Sequence, residues 1–306
     1  MNNPFVTKFA AQAGDINLSN VSNSKTFQLL KDSVLILKET YNYDADHKIR
    51  ITGLADVLSQ ALYGQLLIGE QTSASGLITL KLTGEEDITS TLYAMRLFNP
   101  RDPSGLKTVL AVAPNGVCYP GKQLLITVIG EVTVGLVGTN YTTAIGTQNK
   151  VMTVNCDPAV LFSEHYQEGI ALNFGSEVLR TIKPRLCDNA ITVRFLNRYD
   201  MPECITASYM TEKPSVTDDV SRMFGQKTRF SVESSTEYTL LSGQLNHEDE
   251  YDTWQDLLTS RKAQIFWRNQ WIDIIITKSN YQRQRRNMYK GQVEISFQTT
   301  NPNILL

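Results

Sequence analysis

Gln292-Val293-Glu294-Ile295-Ser296-Phe297-Gln298 decides how the chain is read. Polar and apolar residues alternate without a break, the period-two pattern of a strand with one buried and one wet face. Immediately upstream, residues 265–267 and 271–278 have the same character. Arg268-Asn269-Gln270 joins them as a short hairpin. Before that hairpin, residues 248–262 switch to helical spacing, with Tyr251, Trp254, Leu257, Leu258 and Arg261 on one side. Asn246 is placed as the N-cap. Glu248, Asp249 and Glu250 lie in the first turn and Arg261 and Lys262 at the end, a polarity that complements the helix dipole. Trp254 and Leu258 are expected in the core.

Further upstream, strands are expected at 191–195, 203–210 and 229–241, with a polar loop at 212–221 between the last two. Residues 183–189 contain Pro184 and polar turn residues and interrupt the alternation. They divide the chain into an N-terminal β-rich domain, 1–187, and a C-terminal β-domain with one helix, 188–306. A length of 306 residues suits two domains.

In the N-terminal part, strands are expected at 25–30, 34–39 and 48–51, followed by a helix at 53–64. Leu54, Val57, Leu58, Ala61 and Leu62 form its apolar stripe, and Gly64 takes the left-handed C-cap position. From 76 to 155 strand follows strand. Pro114-Asn115-Gly116 reads as a tight turn. Residues 124–129 are apolar on both faces and read as a central strand. Gly130, Gly135, Gly138 and Gly146 suit bulges and corners rather than a phosphate loop. The expected fold class is mainly β, with two sandwich- or barrel-like domains, each carrying one main short helix.

The composition narrows the functional classes. A net charge of −2 gives no field that would draw the whole chain to nucleic acid or an anionic membrane. The N-terminus lacks a basic stretch followed by an apolar core, so no secretory leader is expected. The apolar runs are far shorter than the ~20 residues of a spanning helix. The chain is expected to fold in the cytoplasm and to hold Cys118, Cys156, Cys187 and Cys204 as free, mostly buried thiols. No Cys-x-x-Cys pair, no histidine pair at ligand spacing, no phosphate loop and no nucleophile elbow occurs. Ser163-Glu164-His165 is weak as a dyad, because neighbours in a strand face opposite ways. No catalytic residue, metal or cofactor is expected. A glycosidase would need two carboxylates ~5–9.5 Å apart across a cleft, a geometry that a sequence cannot display.

One charged feature stands out: Tyr281-Gln282-Arg283-Gln284-Arg285-Arg286-Asn287-Met288-Tyr289-Lys290, between two strands. Tyr281, Arg283, Arg285, Arg286, Tyr289 and Lys290 are the candidate partner-interface residues. Such a loop suits phosphate, a base, an acidic neighbouring subunit, or plain solvent at a hairpin tip. In a chain otherwise balanced in charge, subunit contact is the preferred functional reading.

Two segments carry a resemblance. The first is Ile36-Leu37-Lys38-Glu39-Thr40-Tyr41-Asn42-Tyr43 through Ile49-Arg50-Ile51-Thr52-Gly53-Leu54. The second combines Phe195-Leu196-Asn197-Arg198-Tyr199, Leu241-Ser242-Gly243-Gln244-Leu245, the helix with Leu257-Leu258, and the final strand with Phe297. Together they resemble β-rich tail and baseplate proteins of phages and prophages of Bacteroides-type bacteria. The strand order with one helix also resembles the tail-tube and distal-tail module of long-tailed phages. The resemblance implies a non-enzymatic virion protein, assembled in the bacterial cytoplasm into a ring or hub, a hexameric ring being one form. Its partners would be copies of itself and other tail proteins. Nucleic acid would be met only passively, in a tail lumen. The competing reading is a carbohydrate-binding, adhesive β-sandwich, for which Trp254, Trp267 and Trp271 are the residues to inspect.

Overall fold

The computed structural model describes residues 2–5, 7–94, 109–112, 115–163, 165–175, 178–183, 190–223, 226–243, 245, 248–280 and 292–300. The chain is mainly β, with 53% of the described residues in strands against 11% in helices, as the alternating patterns require. Three hydrophobic cores organise it. The boundary expected within 183–190 falls mostly on residues 184–189, outside the described residues.

The first core is built mainly by residues 5–94, joined by Leu110, Val151, Tyr199 and Met201. Strands β1 (Ile16–Leu18), β2 (Lys25–Lys31), β3 (Val34–Tyr41) and β4 (Ile49–Ile51) lead into helix α1 (Leu54–Ala61). Strands β5 (Gly69–Glu70), β6 (Ser75–Leu82) and β7 (Ile88–Tyr93) follow. An antiparallel sheet runs β3-β2-β6-β7, and β1 pairs with β4. Phe27 and Leu29 of β2 and Ile78, Leu80 and Leu82 of β6 point to one face, where Leu54, Leu58 and Leu62 of the helical stripe meet them.

Gly64 departs from expectation. The helix stops at Ala61, and Leu62 is already extended. The glycine is required by a close backbone approach, since a Cβ there would lie 1.7 Å from the Asp200 carbonyl oxygen. Gly64→Ala should therefore destabilise the fold by about 1–3 kcal/mol or more, through forced separation of the two backbones. Urea unfolding checks it, and a midpoint equal to wild type would refute the close approach.

The second core belongs to β8 (Asn115–Cys118), β9 (Leu125–Leu136), β10 (Thr142–Asn155), the short α2 (Pro158–Leu161), β11 (Ala171–Phe174) and β12 (Val178–Ile182). Their sheet order is β5-β10-β9-β11-β12-β8, with only β12–β8 parallel. As its two-sided apolar pattern requires, β9 is an interior strand. The β9–β10 register slips between Thr147 and Val151. Next to the slip Gly130 pairs with Thr147 and Gly146 with Glu131, the two glycines having φ of 78° and 86°. Asn115-Gly116 is not a turn but the start of β8. Gly116 is glycine because the Arg180 side chain lies across it, 3.3 Å from where a Cβ would stand.

The third core is a seven-stranded antiparallel sheet, ordered β14-β13-β17-β18-β19-β16-β15. Its elements are β13 (Ile191–Leu196), β14 (Pro202–Ala207), β15 (Tyr209–Met223), β16 (Gln226–Leu241), α3 (Glu248–Thr259), β17 (Ala263–Trp267), β18 (Gln270–Asn280) and β19 (Glu294–Thr299). Ile295 and Phe297 of β19 join Val193, Phe195, Ile265, Ile272 and Ile274 beneath α3. Trp254 and Leu257 of α3 are buried in this core, and Leu258 packs half-buried at its margin. The connection between β17 and β18 is the two residues Arg268 and Asn269, both at positive φ, because Trp267 already pairs with Gln270. Asn246 lies outside the described residues. Arg261 and Lys262 fall beyond the last helical turn, and Arg261 reaches the Ser59 carbonyl at 3.3 Å instead.

Candidate assembly surface

The polar stretch 212–221 is not a loop. It is most of β15, which pairs with β16 from Tyr209↔Leu241 to Met223↔Gln226. Only Tyr238 to Leu241 of β16 also pair with β19. From Glu237 back to the hairpin's tip, the two strands pair only with each other among the described residues, as a ribbon. At ~3.4 Å per residue, the stretch from Glu212 to Met223 extends about 40 Å.

Thr211, Glu212, Lys213, Pro214 and Ser215 are exposed, and Val220 is 53% exposed. The outer edge belongs to β15. Pro214 removes one backbone donor there, and Glu212 and Lys213 add charge, devices that discourage indiscriminate strand pairing. The composition hid the ribbon, since few residues in 211–221 are apolar. The available signal was β-branched content: Thr211, Val216, Thr217 and Val220 lie in β15, and Thr228, Val232 and Thr236 in β16.

The six interface residues singled out in the sequence, Tyr281, Arg283, Arg285, Arg286, Tyr289 and Lys290, lie outside the described residues. Their flanks are placed: Asn280 of β18 pairs with Glu294 of β19, so the segment connects two adjacent strands.

A second feature lies where the three cores meet. The turn between β13 and β14, residues 197–201, drives Tyr199 and Met201 into the N-terminal core. Asn197 is fully buried. Its side-chain Oδ1 accepts from the Tyr199 and Met201 N–H groups at 3.0 and 3.1 Å. Its amide donates to the Leu110 carbonyl at 3.1 Å and to Glu203 Oε2 at 2.8 Å. Glu203 also accepts from the Val112 N–H at 3.3 Å and faces the Arg180 guanidinium at 3.8 Å. Burial pushes the Glu203 carboxyl above its ordinary range, against the pull of Arg180, and lowers Arg180. Arg198 grips Asp256 of α3 with its side chain at 2.8 and 3.1 Å and with its backbone N–H at 2.7 Å. Beside this hub lies a cavity of about 60 Å³, bordered by Arg180, Glu203, Cys118, Cys204 and Trp254. Sequence reasoning missed Arg180 and Glu203, because nothing local marks a charge that another domain will cover.

The other candidates are dispersed. His165 stacks on Tyr141 at 4.1 Å, and His47 stacks on Tyr43 at 5.1 Å. Among the described residues no three His, Cys, Asp or Glu side chains gather as a metal site. Cys118, Cys156 and Cys204 are free. Burial raises all three thiols, Cys118 to about 12, which keeps them protonated and poor nucleophiles at neutral pH. No described helix is long and apolar enough to cross a membrane. The tryptophans divide: Trp254 and Trp267 pack on the core under α3, whereas Trp271 lies on the opposite face of the sheet with Phe266, Gln264 and Asp273.

Neither protein-family models, nor curated proteins, nor solved structures give a match.

Proposed function

We propose that this chain is a non-enzymatic structural component of a phage tail or baseplate, assembling with copies of itself into a ring or hub. The observation that carries the reading is the β15–β16 ribbon. A two-stranded hairpin on its own is marginally stable in water. Here fifteen and sixteen residues are committed to one that, from Glu237 back to its tip, no other strand among the described residues supports. A neighbouring subunit supplies the missing cover. The resemblance of the Ile36–Leu54 and Phe195–Phe297 segments to tail and baseplate proteins supports the same reading, as does the dispersal of the nucleophilic and metal-ligating side chains.

Light scattering tests it. Wild-type protein should run as a defined multimer, whereas a variant with residues 214–235 replaced by Asn-Gly should fall to a smaller species while keeping a cooperative unfolding transition. A monomeric wild type, or equal masses for both proteins, would sink the proposal.

The arginine-rich segment supplies a second test. Replacing Arg283, Arg285 and Arg286 together with serine should weaken assembly, and wild-type assembly should fall with added salt, because exposed ion pairs are screened within ~10 Å at 0.1 M. Unchanged mass and an unchanged salt response would return the segment to plain solvent.

A further inference from the structure

We propose that the outer face of the β17–β18 hairpin is a binding site for neutral saccharide. This stands whether or not the chain assembles. The face carries an aromatic pair that lies outside the hydrophobic core under α3. Phe266 and Trp271 sit directly opposite each other across the hairpin, with ring centroids 5.1 Å apart and planes at 52°. The sheet already buries its other face against Trp254 and Leu257 of α3. Phe266 nonetheless leaves 41% of its surface in water, and Ile275, two residues beyond Asp273 on the same face, leaves 57%.

A polar row is built beside the rings. Arg194, Gln264 and Asp273 stand in register on three adjacent strands. Arg194 Nε donates to Gln264 Oε1 at 2.7 Å, and Gln264 Nε2 donates to Asp273 Oδ1 at 2.8 Å. The Arg194 guanidinium lies over the Trp271 ring at 4.1 Å. This chain of contacts fixes the long side chains before any ligand arrives, which lowers the ordering cost of binding. It also leaves capacity unused. The terminal nitrogens of Arg194 and the second carboxylate oxygen of Asp273 have no protein hydrogen bond among the described residues.

Those leftovers select the occupant. Aspartate is depleted at protein interfaces, so the Asp273 carboxylate beside the rings suits a protein partner poorly. The leftovers suit a polyol. A pyranose presents a C–H face that packs on an aromatic ring. Around its rim it presents hydroxyls that both accept, here from Arg194, and donate, here to Asp273. A strongly anionic sugar would meet Asp273, which is why the class is neutral.

Saturation-transfer NMR with the whole chain tests it, using cellopentaose, maltopentaose and chitopentaose as probes. Transfer to at least one of them is expected, with a Kd on the order of 1 mM or tighter. Phe266→Ala and Asp273→Ala should each weaken it by about tenfold or more. Phe266 is the safer substitution, because its ring is already half in water, and a melting curve confirms that the variant is folded. No transfer to any of the three sugars at about 5 mM overturns the proposal. So does transfer that survives both substitutions. A Phe266→Ala variant that changes assembly mass and leaves sugar binding intact also overturns it, by making this face a subunit contact.

Discussion

Trp254→Ala is expected to lower the unfolding free energy by about 3–5 kcal/mol, the cost of truncating a large buried aromatic side chain. Trp254 is 3% exposed and packs in the core with Leu257, Ile265 and Phe297. The upper part of the range is the better expectation here. The indole also borders the cavity of about 60 Å³ beside Arg180 and Glu203, so its removal enlarges an existing void that polar walls resist closing. Leu258 is half-buried at the margin of the same core, and Leu258→Ala should cost less. Urea unfolding of the two variants checks both the size and the order. A Trp254→Ala loss below about 1 kcal/mol, or a larger loss for Leu258→Ala, would show that α3 presents a different face to the sheet.

What the sequence discloses follows from how local each signal is. The stripe Trp254, Leu257, Leu258 and the alternation of Val293, Ile295 and Phe297 are carried within one element, and both face the core as read. The strands Lys25–Lys31 and Val34–Tyr41 and the interior position of β9 were legible for the same reason.

Three kinds of feature were not. Gly64 and Gly116 owe their identity to Asp200 and Arg180, distant residues that press against them, while their own dipeptides suggest a cap and a turn. The ribbon lies outside any core, so its residues lack the apolar alternation that reports a buried face. Its pairing is visible only once Glu212 is set against Tyr238 and Ser215 against Ser235. The hub at Asn197 and Glu203 joins groups from three cores, and each member alone looks like an ordinary surface residue.

That hub gives the second large effect. Glu203→Ala should cost about 3–5 kcal/mol, because it leaves the Arg180 guanidinium buried without its carboxylate. Both side chains are almost fully enclosed, at 5% and 6% exposure. The loss also strips an acceptor from the Val112 N–H and from the Asn197 amide, although the amide keeps the Leu110 carbonyl. Arg180→Met alone strands the opposite charge and should cost a similar amount. The double substitution Arg180→Met with Glu203→Leu removes both charges from an enclosed site and should cost much less than the two single losses together. Costs that simply add would mean that the charges do not sense each other across 3.8 Å.

A pH dependence goes with it. Burial holds the Glu203 carboxyl above its ordinary range, so the folded chain retains that proton more tightly than the unfolded chain does. The corresponding stability is fully present below the unfolded value of about 4.3 and is lost as pH rises from there through the folded value. Glu203→Gln keeps the shape, removes the titration and should flatten that part of the profile. Urea midpoints from pH 4 upward compare the two proteins, and an unchanged slope in the Gln variant would assign the pH dependence to other groups.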